Sequence, residues 1–123
     1  MIPGLSTHLP ETLIYADSTN LDVETYIQIY NPIGFLCHVE VEWIYKIINE
    51  AKKPVMIIKP FAGGRITPFV GLNFVVNTIR DIDMITIGVS SPNEVEEDVE
   101  IFLSIIEKRK PGLEYQITRS KKS

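Results

Sequence analysis

The chain has 123 residues, 45% of them hydrophobic, enough to bury the core of one domain and too many for a disordered chain. Its 16 acidic and 12 basic residues leave a formal charge of -4, which gives no electrostatic footprint for nucleic acid. A single cysteine, Cys37, excludes an internal disulfide framework, and no signal-peptide pattern or spanning apolar run is present, so a cytoplasmic protein without a membrane segment is expected.

In chain order, Ile2 to Ser6 has the character of a strand end, and Thr7 to Glu11 reads as a loop entering a short helix that runs to about Ala16. Val23 to Tyr30 is a second strand, stopped by Asn31-Pro32-Ile33-Gly34. Between Val39 and Lys52 the apolar residues Val39, Trp43, Ile44, Ile47 and Ile48 recur at helical spacing, which predicts a helix with Trp43 in its packed face. Lys53-Pro54 ends that helix, and Val55 to Ile58 is an apolar run suited to a parallel strand covered on both faces.

The third strand opens into Lys59-Pro60-Phe61-Ala62-Gly63-Gly64-Arg65, where glycines let backbone approach an anion closely. Thr67 as N-cap with Pro68 at N1 then starts a helix whose stripe is Phe69, Leu72, Val75, Val76 and Ile79. Met84 to Val89 is the fourth predicted strand. Ser91-Pro92-Asn93-Glu94 has the form of a capping box, and the last helix carries Val95, Val99, Phe102, Leu103 and Ile106 as its expected core stripe, with Glu96, Glu97, Asp98 and Glu100 at its positive end. Pro111-Gly112 stops it. Residues 111–123 form a basic tail which, with Lys108, Arg109 and Lys110, brings Arg119, Lys121 and Lys122 into what reads as a solvated extension.

Strands alternating with helices predict an α/β domain over residues 1–110 with a parallel sheet: half of a (β/α)8 barrel, or alternatively a small open doubly wound sheet. A complete barrel takes ~250 residues, so four units would leave two strand edges and apolar surface for a second copy or another half to cover.

The loops at the predicted strand ends resemble the aldo-keto reductase-like TIM barrels, in their half from strand five to helix eight, over Gly4 to about Ile106. Gly4-Leu5-Ser6-Thr7-His8 is similar to the Gly-x-Ser-Asn ending of strand five in that family. Tyr30-Asn31-Pro32 resembles its Tyr-Asn, Lys59 to Gly64 its Pro-Leu-x-x-Gly, and Gly88 with Ser91 to Asp98 the start of its helix eight. The resemblance implies the cofactor side of a nicotinamide-dependent oxidoreductase. The catalytic Asp, Tyr, Lys and His of the family lie after strands two to four, outside this half.

Several family positions differ here. Thr7 stands where the family has a carboxamide-binding Asn, Ile27 where it has Gln, and Ile58 where an aromatic stacks on nicotinamide. Gly88 and Glu94 occupy the places of basic groups that grip a 2′-phosphate, so NAD is favoured over NADP. The cofactor-binding residues expected on these grounds are Ser6, Thr7, Asn31, Gly63, Gly64, Arg65, Gly88, Ser90 and Ser91.

A second reading is a lyase or isomerase acting on a phosphorylated or carboxylated small molecule, with Lys59 as amine nucleophile and His8 as acid or base. A third is a non-catalytic half-barrel that assembles with its twin. Tyr30 and Asn31 are candidate pocket residues and Tyr26 a core residue. Cys37, His38, Glu40 and Glu42 match no familiar zinc spacing, so no metal site is expected.

Overall fold

The computed structural model describes residues 1–113 and Arg119. The strands are β1 (Gly4–Thr7), β2 (Thr25–Ile29), β3 (Val55–Ile58) and β4 (Met84–Ile85), and the α-helices are α1 (Glu11–Thr19), α2 (Val41–Glu50), α3 (Pro68–Thr78) and α4 (Pro92–Ile106). Two helix starts follow from local chemistry. Thr67 accepts a hydrogen bond from the Val70 N–H and Ser91 one from the Glu94 N–H, each followed by proline at the first helical position. The Glu94 carboxylate, expected to reach back to Ser91, accepts instead from the Ser90 N–H at 2.7 Å.

The strands form one parallel sheet in the order β1-β2-β3-β4. Because side chains alternate across a strand, the register puts Leu5, Tyr26 and Val55 on one face and Ser6, Ile27, Met56 and Met84 on the other. The main core cluster lies against the first face: Leu13 and Ala16 of α1, Ile44, Ile47 and Ile48 of α2 and Val75 of α3 pack on Tyr26, Val55 and Ile57, while Ile29 is buried on the other face. A second cluster joins Phe61, Leu72 of α3 and Ile101 of α4, with Ile85 and Ile87 beside them.

A doubly wound sheet reverses its strand order and carries helices on both faces. Sequential order with every helix on one face is the winding of a barrel, in which right-handed crossovers always turn the same way. The sheet is therefore half-barrel-like, and the face bearing Ile27, Met56 and Met84 is its concave interior.

The amino-terminal ends of the strands are locked by one ion pair. The Asp83 side chain is buried, and its carboxylate accepts from the Val55 N–H at 2.9 Å and from the Arg80 N–H, Nε and Nη2 at 2.9, 3.0 and 2.9 Å. Arg80 in turn donates to the carbonyls of Ala51 and Lys53. Close to this network, the Tyr26 hydroxyl donates to Asp17 at 2.6 Å, tying β2 to α1, and the other Asp17 oxygen accepts from the Lys52 N–H; burial together with that carboxylate pushes the phenol pKa up.

Three expectations need correction. The fourth strand, predicted over Met84 to Val89, pairs only at Met84–Ile85, because its neighbour β3 ends at Ile58 and the chain turns at Lys59, which leaves the later residues no ladder partner among the described residues. Trp43, expected in the core, is 42% exposed, since α2 is seated by Ile44, Ile47 and Ile48. The stripe of α4 expected to face the core, Val95, Val99, Phe102, Leu103 and Ile106, is exposed, and the buried positions are Asp98, Ile101 and Ser104.

Of the basic segment after α4, Lys121 and Lys122 lie outside the described residues, and Arg109 is paired rather than free. Arg109 pairs with Glu100 and Glu107, and the Gly112 N–H donates to Glu100. These bonds hold the Glu100 carboxyl down at about 2, from an ordinary value of 4.5. A depressed carboxylate contributes stability that is fully present above its unfolded pKa and lost as pH falls through its folded one. Glu100→Gln should therefore flatten the part of the acid limb lying between pH 4.5 and about 2, read as the urea midpoint against pH. An unchanged limb would mean the pairing with Arg109 does not persist in solution.

Among the described residues no helix is long and apolar enough to cross a membrane.

Candidate functional site

The concave face meets the carboxyl ends of β3 and β4 in a cleft of about 790 Å³, lined by Ile58, Lys59, Pro60, Phe61, Gly63, Gly64, Thr86, Gly88, Ser90, Glu94 and Arg119. This is the mouth of the half-barrel, the end at which barrels of parallel strands carry their sites.

Its floor is made by the turn after β3. Lys59 has φ +55°, and Ala62, Gly63 and Gly64 follow with φ of +53°, +64° and +83°. Left-handed backbone at Lys59 and Ala62 is strained for residues with a Cβ, and such strain gathers at functional sites. Helix α3 presses this turn into place through Gly71: a Cβ there would stand 2.7 Å from the Pro60 carbonyl oxygen and 2.7 Å from Phe61, so only glycine permits the approach. Lys59 is exposed, and its ammonium makes no hydrogen bond or ion pair among the described residues.

The opposite wall is built by α4 and Arg119. The Arg119 guanidinium, 11% exposed, donates to both oxygens of the buried Asp98 carboxylate, at 2.6 and 3.0 Å. It also lies 3.6 Å from Glu94 and 3.8 Å from Glu97, and stands over the Phe61 ring. Asp98 is therefore not a helix-end surface charge but half of a buried pair. Burial raises its pKa, and the bonds from Arg119 oppose that rise.

Of the expected site residues, the cleft gathers Lys59, Gly63, Gly64, Gly88 and Ser90. Ser91 is consumed as the cap of α4, and the Glu94 carboxylate occupies the helix N-terminus where an anion was expected. Arg65 does not line the cleft: it stacks over Phe35 at 4.0 Å and donates to the Ala62 carbonyl. Asn31 is buried and spent on its own loop, donating to the Phe35 carbonyl and accepting from the Phe35 N–H. Tyr30, a candidate pocket residue, is buried in the core and bonded to Thr78.

Ser6, Thr7 and His8 sit at the other edge of the sheet, and none lines the cleft. The Thr7 hydroxyl accepts from the Leu9 N–H and donates locally to the Leu9 carbonyl or Thr12, which makes it a turn residue at the start of α1. His8 is exposed and therefore not brought together with Lys59 within one copy of the chain. Cys37 is half-buried and His38 exposed.

Compared with protein-family profiles, curated proteins and solved structures, the chain matches none. The residues that sequence reasoning missed are Phe61, Thr86 and Arg119. Thr86 was legible, because it shares the concave face with Met84 two residues earlier. Arg119 was not, because its partners Asp98 and Glu94 lie more than twenty residues away and no local pattern joins them.

Proposed function

We propose that the chain is the cofactor-side half of an aldo-keto reductase-like oxidoreductase barrel, and that its cleft takes the phosphorylated part of a nicotinamide dinucleotide, NAD in preference to NADP. The observation that carries this reading is the pairing, at the carboxyl ends of parallel strands, of an uncommitted Lys59 ammonium with the left-handed Gly63-Gly64 turn. An ammonium and close-approaching backbone are the two elements a phosphate needs. Glu94 on the facing wall puts a carboxylate where a 2′-phosphate would demand a cation, which disfavours NADP. The motifs at the four strand ends support the family relation. Hydride transfer itself would use acid and base groups from outside this half.

Equilibrium dialysis against NADH and NADPH tests the reading. NADH should bind more tightly than NADPH, and Lys59→Ala should weaken NADH by about tenfold, the value of one charge-assisted hydrogen bond. Equal binding of both nucleotides, or indifference to Lys59, would contradict it.

One observation favours a second reading. Lys59 is a lysine with left-handed backbone facing a cleft, and a free amine so placed can form a Schiff base with a carbonyl substrate. Borohydride trapping with small phosphorylated or carboxylated carbonyl compounds separates the two: reduction onto Lys59 supports the lyase, and absence of adduct supports the nucleotide site.

A further inference from the structure

The chain as folded leaves two edges and one face without a partner among its described residues. The outer side of β1 and the outer side of β4 have no further strand, and the concave face exposes Met84 and leaves Ile27 and Met56 half-covered. Beside the β4 edge, α4 exposes Val95 at 44%, Val99 at 51%, Phe102 at 37% and Ile106 at 56%. The last three line a largely apolar groove of about 590 Å³ along β4. Helix α1, next to the β1 edge, exposes Ile14 and Tyr15.

We infer that a second copy of this chain covers both edges at once, closing an eight-stranded parallel barrel in which β4 of each copy lies beside β1 of the other. Two observations select this occupant. All four strands run in one direction in the order β1-β2-β3-β4, so rotation by half a turn about the barrel axis continues the order without reversing a strand. The sum of two copies is eight strands, the number at which a parallel barrel closes with its interior filled by side chains. One twofold operation satisfies both edges, as a closed symmetric dimer requires.

Closure also completes the site. The carboxyl end of β1, with Ser6, Thr7 and the following His8, then stands beside the loop after β4, where Gly88 and Ser90 line the cleft. The imidazole that a single copy keeps at the far edge of its sheet is delivered to the cleft by the partner.

Sedimentation velocity of the full chain at tens of micromolar tests the association, which is read without any nucleotide, so its failure leaves the proposal for the cleft untouched. A species of twice 14.0 kDa is expected. Val99→Glu with Phe102→Glu should give a folded monomer, because both side chains are already exposed in one copy. Trp43→Glu, exposed on α2 away from both edges, should leave the dimer intact. A monomeric parent, or a dimer broken by Trp43→Glu and not by the α4 changes, overturns the inference. Cross-linking decides the arrangement even if the glutamate variants misfold. In a Cys37→Ser background, His8→Cys chains mixed with Ser90→Cys chains should be joined by a short bis-maleimide, and failure to join them overturns the pairing of β1 with β4.

Discussion

Replacing Arg119 with alanine is expected to cost about 3–5 kcal/mol of folding stability, because it strands the Asp98 carboxylate, 1% exposed, without its cation. The penalty is that of an uncompensated buried charge rather than the net worth of the pair. Replacing both partners with apolar residues, Asp98→Leu with Arg119→Met, should therefore recover most of the loss. Arg109→Ala provides the contrast. Its guanidinium is 39% exposed and faces Glu100 and Glu107 in solvent, so its loss should cost far less than that of Arg119. Urea unfolding of the variants measures all of this. An Arg119→Ala protein within about 1 kcal/mol of the parent would mean that the bond to Asp98 is not kept in solution.

A loss of similar size, about 3–5 kcal/mol, is expected for Asp83→Ala at the other end of the sheet. Among the described residues Asp83 accepts the Val55 N–H, and it anchors an arginine that holds the Ala51 and Lys53 carbonyls after α2. Its removal orphans a buried amide and takes the counter-charge from a guanidinium left with carbonyl partners. The functional consequence differs from that of Arg119. Asp83 lies at the amino ends of the strands, so the folded fraction of Asp83→Ala should bind ligand as the parent does, whereas Arg119→Ala alters a wall of the cleft. Stability near that of the parent, or a binding defect in folded Asp83→Ala, would contradict the separation of a stabilising end from a binding end.

Much of this division was legible in the residues. Val55 to Ile58 announces a parallel strand by its unbroken apolar run, although only Val55 and Ile57 are buried and Met56 and Ile58 stay half-covered on the face expected to be packed, and Thr67-Pro68 and Ser91-Pro92 announce helix starts because capping is a local event. What periodicity cannot supply is the identity of the surface that a stripe faces. Val95, Val99 and Phe102 recur as a core stripe should, yet they point away from this chain's own core, and the same spacing would serve a face covered by another molecule. The length of β4 was misjudged for a related reason: Thr86 to Val89 has strand composition, but its neighbour β3 ends at Ile58, which composition does not reveal. The candidate site divides in the same way. Lys59, Gly63 and Gly64 were visible because a strand followed by glycines marks a rim, whereas the losses of Arg65 to Phe35 and of Asn31 to its own loop depend on contacts that only the folded chain reveals.

Most directly decisive is a titration of the ¹⁵N-labelled chain with NADH, followed by amide chemical shifts. A ligand at the mouth of the half-barrel should move the amides of Lys59, Gly63, Gly64, Gly88 and Ser90 together and leave those of Val55 and Asp83 in place. Shifts confined to the amino ends of the strands, or none at millimolar nucleotide, would contradict the assignment of that cleft as the binding site.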